Sequence, residues 1–140
     1  MSERVNFHFE IDGENFTSAG EASVRIKKHL RDMGFSPDTI RRVSVAMYEG
    51  EINMVIHANG GSADVDVYVD RIEITLADKG PGISNIELAM QEGYSTAPDN
   101  IRSLGFGAGM GLPNMKRYTD NMKIESEVGK GTTIYMTVNV

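Results

Sequence analysis

The segment spanning residues 36–58 constrains the fold most, because it predicts one long helix that is apolar around most of its circumference. Ser36-Pro37 supplies an N-cap and a first-turn proline, and Asn59-Gly60-Gly61 ends the helix. On a wheel of about 100° per residue, four polar side chains of this helix share an arc of about 80°. A helix that is so widely apolar is expected to be buried. The residues of this polar stripe are Arg42, Glu49, Asn53 and His57.

The polar stripe has two interpretations that the wheel alone leaves open. It is either the solvent face of an ordinary amphipathic helix or the wall of a polar cavity, because buried carboxylates and amides are costly without partners. His57 taken singly is typical of a satisfied or capping histidine near a helix end. Glu49 and Asn53 together are more suggestive. A carboxylate and an amide one turn apart suit a general base beside a Mg²⁺ that already holds phosphates.

Gly50 and Glu51 are two further residues of this helix that need an explanation, because they are unusual neighbours for the polar stripe. Gly50 costs about 1 kcal/mol relative to alanine in a helix interior, and close packing against another helix is its plain explanation. Glu51 lies on the opposite side of the wheel from Glu49, so it is not counted as a second catalytic carboxylate.

The rest of the chain predicts strands and shorter helices around the long one. Strands are expected from period-two alternation, and Ser18 with Glu21 forms a capping box for a helix that precedes the long one. Hairpins in the middle and at the end indicate an α+β fold, a two-layer α/β sandwich whose mixed, mostly antiparallel sheet has helices on one face. The predicted strands are residues 5–11, 65–69, 72–77, 122–128 and 132–138, and the other helices are residues 18–33, 84–93 and 112–118.

Composition narrows the class of protein. The 140 residues are 40% apolar, which suits a single domain, residues 1–140, with its own core. No stretch reaches the roughly 18 apolar residues of a membrane span and no signal peptide is evident, so we expect a cytoplasmic protein that does not bind membranes. The absence of cysteine excludes thiol nucleophiles and Cys-type zinc sites. The net charge of −6 argues against a general nucleic-acid binder.

Two glycine-rich segments indicate a nucleotide pocket. Asp78-Lys79-Gly80-Pro81-Gly82 ends a strand with a carboxylate and lets backbone approach a ligand, although such a segment alone is typical of a simple turn. Residues 105–111 carry glycine at every second position, which is costly in chain entropy, and they open onto a helix N-terminus suited to phosphates. The second segment is not a P-loop, because no Gly-Lys-Ser or Gly-Lys-Thr ends it.

Four motifs in this order resemble the Bergerat ATP-binding fold shared by gyrase, histidine kinases, MutL and the heat-shock chaperones. Glu49-x-x-x-Asn53 with His57-Ala58 is similar to the N box, and Asp78-Lys79-Gly80-Pro81-Gly82 to the first glycine box. Residues 105–115 resemble the second glycine box, and Gly129-Lys130-Gly131-Thr132 resembles the closing motif. The short length and the β-α-α start resemble the anti-sigma-factor serine kinases and the switch kinases of bacterial stress signalling.

The resemblance implies roles for individual residues. Asp78 would accept a hydrogen bond from the adenine amino group with help from Thr132, and Asn53 would hold Mg²⁺ against the phosphates of ATP. Glu49 would act as the general base. The ATP lid, about residues 95–111, would include Arg102 as a loose match to a phosphate-contacting arginine. The implied cofactor-binding residues are Asn53, His57, Ala58, Asp78, Gly80, Gly82, Ile83, Arg102, Gly107, Gly109, Gly111, Leu112, Met115 and Thr132.

The same resemblance implies partners. The substrate would be a serine or threonine of a small STAS-type antagonist protein, a sigma factor or a phosphatase could be a further partner, and the first strand could serve a homodimer. Two other functions fit the same residues. The chain could be a non-catalytic module in which ATP orders a partner surface, or a stand-alone ATPase in which Glu49 activates water. The sequence does not separate them, because the base, the metal ligand and the phosphate cradle would be the same.

Overall fold

The computed structural model describes residues 4–12, 20–58, 60–83, 90 and 111–140. The sequence periods of two and 3.6 resolve into strands and helices in the order β-α-α-β-β-α-β-β over these residues. The elements are β1 (Val5–Asp12), α1 (Glu21–Asp32), α2 (Pro37–His57), β2 (Gly60–Val67), β3 (Arg71–Asp78), α3 (Gly111–Arg117), β4 (Asn121–Glu127) and β5 (Gly131–Asn139).

The five described strands form one sheet in the order β1-β2-β3-β5-β4, and every neighbouring pair is antiparallel. The two helices between β1 and β2 run down and back, so the chain returns to the end of the sheet that it left and β2 runs opposite to β1. Strands β3 and β4 run in the same direction, but β5 lies between them. The sequence predicts a mixed, mostly antiparallel sheet, whereas the described sheet is antiparallel throughout. The reason is that β5 lies between β3 and β4, so the two strands that run in the same direction are not neighbours.

The helices cover one face of this sheet, and the core lies between the two layers. Strand β2 shows why, since Ala63, Val65 and Val67 are buried and alternate with partly exposed residues. Helix α2 contributes buried side chains from Thr39 to Val55 and packs against α1 on one side and α3 on the other. The α+β sandwich with helices on one face is confirmed. The most deeply buried apolar side chains are Ile26, Leu30, Val43, Met47, Ile72, Ile74, Met115, Met136, Val65 and Val138.

The predicted elements differ from the structure mainly at their ends. Val69, expected in the second strand, lies in the turn before β3 with 91% of its surface exposed, because β2 ends at Val67. Helix α2 starts as expected, with the Ser36 side chain accepting the backbone N–H of Thr39. The helix predicted for residues 84–93 and most of the proposed ATP lid lie outside the described residues.

Candidate functional site

Asp78 stands at the end of β3, where the apolar alternation of that strand gives way to a carboxylate. Its Oδ1 accepts the backbone N–H of Gly80 at 2.9 Å and that of Thr132 at 3.2 Å. Its Oδ2 receives no hydrogen bond from any described residue. One oxygen thus fixes the direction of the carboxylate and the other is left to accept a hydrogen bond from a ligand.

Asp78 belongs to a polar row that crosses three strands. Asp78 pairs with Thr132 on β5, and Thr132 pairs with Ser126 on β4. Residues directly opposite each other in neighbouring strands share a face of the sheet, so all three side chains continue the core-facing columns to the sheet end. Thr132 is 7% exposed, and its Oγ1 lies 2.8 Å from Oγ of Ser126.

Ser126 is a site residue that sequence reasoning missed. Its Oγ accepts the backbone N–H of Ile83 at 2.7 Å, which ties the first glycine segment to β4. The signal was present in the sequence, because Met122 and Ile124 set an apolar period on which Ser126 is the next member. A serine at an inward-facing strand position needs a partner, and that partner belongs to the pocket.

The glycines of the first segment are required by close approach of backbone. A β-carbon at Gly80 would lie 2.6 Å from the β-carbon of Ala58, the residue that caps the C-terminus of α2. Gly82 has φ of +79°, and a β-carbon there would meet the carbonyl of Glu127. The first glycine segment therefore packs closely between the end of α2 and the β4–β5 turn. This packing brings Ala58, Gly80 and Gly82 to the same end of the sheet as Asp78.

The Glu49 and Asn53 side of α2 faces α3. A β-carbon at Gly111 would lie 2.9 Å from Oδ1 of Asn53, so the glycine makes room for this amide at the first residue of α3. Glu49 lies one turn before Asn53 on α2, and its Oε1 accepts a long hydrogen bond of 3.4 Å from Nδ2 of Asn114 on α3. Arg117 donates to Oδ1 of Asn114 at 3.2 Å, which turns the amide N–H₂ of Asn114 towards Glu49.

The polar stripe is divided between two places. Arg42 does not join Glu49 and Asn53, because its guanidinium bonds Oδ2 of Asp120 at 2.6 Å and the carbonyl of Tyr118 at 3.3 Å near the other end of α2. The expectation that the whole stripe faces one cavity is wrong for Arg42. The reason is that three turns of helix carry the stripe from the start of β4 to the start of α3.

The opposite side of α2 carries Glu51, which is 1% exposed. Its carboxylate accepts the backbone N–H groups of Gly20, Ala22 and Ser23 at 2.8, 3.2 and 2.7 Å. These are first-turn donors of α1, whose expected cap was the Ser18–Glu21 box. Gly20 stands at the N-cap position and makes no side-chain cap, and Ser18 lies outside the described residues. Burial raises the pKa of the Glu51 carboxyl, and its bonds from the three N–H groups oppose that shift.

Gly50 packs against the sheet more closely than against a helix. A β-carbon there would collide with Cδ1 of Leu76 on β3 and would lie 3.6 Å from Sδ of Met115. Met115 is 0% exposed and Leu112 is 8% exposed, so both stand in the core. Their predicted contacts with a nucleotide stay predictions. Arg102, Gly107 and Gly109 lie outside the described residues, and so does the side chain of His57.

The described residues contain no group of three or more His, Asp or Glu side chains that could hold a metal ion. Mg²⁺ commonly keeps one or two protein ligands and fills its octahedron with water and phosphate oxygens. Asn53, with its oxygen beside the space that Gly111 leaves, fits that mode of binding. None of the described helices combines the length and the apolar character that crossing a bilayer requires.

Comparison with known proteins agrees with this geometry. The model of the histidine kinase-like ATPase domain family matches residues 15–138. The anti-sigma F factor of Clostridium acetobutylicum is 36% identical over 137 residues, which cover 94% of this chain and 89% of that protein. The anti-sigma F factor of Priestia megaterium is 28% identical over 143 residues, which cover 97% of this chain and 92% of that protein.

Two solved structures share the fold. The RsbU and RsbW domains of Rv1364c from Mycobacterium tuberculosis match with a TM-score of 0.65 and 16% identity over 96% of this chain, which spans 32% of that longer protein. The mycobacterial sensor histidine kinase MprB matches with a TM-score of 0.53 and 17% identity, covering 99% of this chain and 97% of that one. With the family model matching nearly the whole sequence, this chain belongs to the histidine kinase-like ATPase domain family.

Proposed function

We propose that the protein is an ATP- and Mg²⁺-dependent serine/threonine kinase that phosphorylates a small antagonist protein of the STAS type in a partner-switching pair. The observation that carries the proposal is the state of Glu49. Its carboxylate is partly exposed and, among the described residues, receives one long bond, from Asn114. A carboxylate held this lightly, one helical turn before Asn53, is able to take a proton from an incoming hydroxyl.

In this proposal the chain's own groups divide the work. Asp78 and Thr132 receive the adenine, and Asn53 lies where a Mg²⁺ that neutralises phosphate charge would bind. Glu49 takes the proton of the serine hydroxyl while the serine oxygen bonds to the terminal phosphorus of ATP. ADP leaves with the electrons of the broken P–O bond. Such a transfer needs positioning and charge neutralisation more than covalent catalysis, and one general base contributes about 10²–10⁴-fold.

The relatives support the partner as well as the chemistry. Two of them are named anti-sigma F factors and the chain spans about nine-tenths of each, 89% and 92%. The structure of the SiaB–SiaC complex from Pseudomonas aeruginosa matches this fold with a TM-score of 0.51, 11% identity and 96% of this chain covered. We therefore propose a sigma factor or a phosphatase as a further partner. We also propose that the protein acts in the cytoplasm as a single domain, and that its ATP lid spans about residues 95–111.

The test of the kinase is the substitution Glu49→Gln, which removes the base and keeps the shape. Transfer of labelled phosphate from ATP to candidate STAS-type proteins should fall at least a hundredfold, while calorimetry shows unchanged ATP affinity. Glu73→Gln, which changes a carboxylate on the face of the sheet opposite the described helices, is the matched control and should transfer normally. Equal loss of binding and transfer in Glu49→Gln would overturn the role of Glu49. Free phosphate released without any partner would identify an ATPase, and binding without either product would identify a non-catalytic module.

A homodimer is proposed through β1, which is one of the two edge strands of the described sheet and begins with a half-exposed Val5. An edge strand presents unpaired backbone groups to a second copy. Light scattering after size exclusion should give twice the monomer mass. A strict monomer at high concentration would contradict the dimer and leave the kinase proposal untouched.

A further inference from the structure

The polar row at the end of the sheet contains a hydroxyl pair whose hydrogen-bond direction can be worked out by counting donors. Ser126 Oγ has three neighbours: the N–H of Ile83 at 2.7 Å, the carbonyl oxygen of Gly131 at 3.2 Å and Oγ1 of Thr132 at 2.8 Å. The Ile83 N–H can only donate and the Gly131 carbonyl can only accept. The remaining question is which of the two hydroxyls donates to the other.

Only one arrangement uses every donor. If Ser126 donates to Gly131, then Thr132 donates to Ser126, and the three donors make three bonds. If Ser126 donates to Thr132 instead, the Gly131 carbonyl loses this donor and the Thr132 proton has no partner among these groups. A donor that is shielded from water and lacks a partner is costly, and Thr132 is 7% exposed, so the first arrangement is the stable one.

The direction of this chain of bonds decides what Thr132 offers to a ligand. Its proton points towards Ser126 on β4, so its oxygen lone pairs remain on the side of β3, where Asp78 stands across the register. The open oxygen of Asp78 is also an acceptor, because Oδ1 takes both backbone N–H groups. Among the described residues, this row at the end of the sheet therefore presents two acceptors and no hydroxyl donor.

We infer that Ser126 is a specificity-determining residue that holds Thr132 as an acceptor and so selects a purine with an amino group at position 6 over one with a carbonyl oxygen there. An exocyclic amino group carries two N–H donors and matches two acceptors. A 6-oxo group would place a third acceptor against them, and the single ring N–H beside it can serve only one of the three in a partly desolvated pocket. This inference rests on the proposed binding of ATP at Asp78.

Replacing Ser126 would release the Thr132 proton. Without Oγ of Ser126, the Thr132 hydroxyl is free to rotate and donate to a 6-oxo group, so the pocket accepts both kinds of purine. Thr132 can still turn its lone pairs to an amino group, so the loss of Ser126 should act mainly on the 6-oxo purine. Truncating Thr132 itself would act on the other side of the ratio, since it removes an acceptor that the amino group uses.

The experiment compares ATP with inosine triphosphate, which carries a carbonyl oxygen in place of the 6-amino group and lacks the 2-amino group of GTP. Dissociation constants are measured by calorimetry in Mg²⁺. Wild type should prefer ATP by about a hundredfold or more, as expected where a site rejects a mismatched polar group. Ser126→Ala should lower that preference about tenfold through tighter binding of inosine triphosphate, because the released Thr132 hydroxyl can donate one hydrogen bond to the 6-oxygen.

The variants Thr132→Val and Ser126→Ala/Thr132→Val show whether Ser126 acts through Thr132. The double variant should match Thr132→Val alone. The inference would be overturned if Ser126→Ala left the wild-type preference for ATP intact. It would also be overturned if the double variant showed a preference a further tenfold below that of Thr132→Val. In both cases ATP binding at Asp78 would stand. A wild type that binds neither nucleotide would overturn the proposed function and this inference with it. If Ser126→Ala proves too unstable to titrate, Ser126→Cys makes the same test, since a thiol is a weak donor and acceptor of similar size.

Discussion

The two sides of α2 treat a carboxylate in opposite ways. On the side that faces α1, Glu51 is 1% exposed and accepts three backbone N–H groups. On the side that faces α3, Glu49 is partly exposed and accepts one long bond, from an amide side chain, within the part of the chain that the structure describes. The two residues differ by two positions on one helix, so their environments follow from what packs against each side. Glu51 is saturated and belongs to the architecture, whereas Glu49 retains the capacity to bind a proton or a ligand.

The contrast should be largest in stability. Glu51→Ala leaves three backbone donors of α1 without their acceptor, and unsatisfied buried donors cost about 1–3 kcal/mol each, offset where water reaches the exposed helix end. We expect the free energy of unfolding in urea to fall by about 2–4 kcal/mol. Glu49→Ala, the matched change on the other side, should stay within about 0.5 kcal/mol of wild type. If the two variants lost the same stability, the contrast between the two sides of α2 would be refuted.

A smaller effect, on turnover, should appear at Asn114, which contacts Glu49. Asn114→Leu keeps the volume and removes the donor, so the carboxylate loses the contact that orients it. At 3.4 Å the bond is weak, and we expect kcat for phosphate transfer to fall about fivefold with the ATP dissociation constant unchanged, in line with about 1 kcal/mol for one hydrogen bond. Phosphate transfer to the protein substrate measures kcat, and calorimetry measures the ATP affinity.

Two controls separate orientation from folding at Asn114. Lys116→Ala, an exposed change on the same helix, should leave both quantities alone. In a Glu49→Gln background Asn114→Leu should have no further effect, because its action passes through the carboxylate. A further fivefold loss in that background would show that Asn114 acts elsewhere.

The uneven success of the sequence in predicting the site follows the same contrast. Glu49, Asn53 and Asp78 were identifiable because their polarity breaks an apolar period at motif spacing, and the structure places them at the sheet end or beside α3. Glu51 was set aside as lying on the wrong side of the wheel. A wheel gives the direction of a side chain and not what lies across from it, and the partners of Glu51 are 28–31 residues away along the chain.

The fold was more predictable than the connections within it. Alternation in β2, β3 and β5 gave the strands, and the capped segment at Pro37 gave α2, because local periodicity and capping act within a few residues. The antiparallel pairing of all described strands was not readable in the same way, since it depends on β5 inserting between β3 and β4. Ser126 escaped notice for a related reason, because its partner Ile83 is 43 residues away.

The smallest effect concerns a third carboxylate that meets α2, intermediate between the two. Asp120 accepts the backbone N–H of Asn139 at 2.7 Å and the guanidinium of Arg42 at 2.6 Å, and these bonds, the backbone one first, hold the pKa of Asp120 below its usual range. A depressed carboxyl pKa stabilises the fold above the ordinary value of 3.8, and this contribution is lost as pH falls through the lower folded value.

Asp120→Asn should therefore lower the free energy of unfolding at pH 7 by less than about 1 kcal/mol, because the Arg42 and Asp120 side chains are 22% and 37% exposed and water screens their attraction. The difference from wild type should shrink as the pH of the urea titrations falls below 3.8 and through the lower folded value, where the native carboxyl gains its proton and comes to resemble the amide. Asp38→Asn, which breaks the more exposed pair with Arg41 on the same helix, should show no measurable change at any pH. A difference for Asp120→Asn that stayed constant across this range would mean that the carboxylate charge contributes nothing and that only the shape of the group matters. Asp120 would then resemble neither Glu51, whose carboxylate is held by the fold, nor Glu49, whose carboxylate stays available to a ligand.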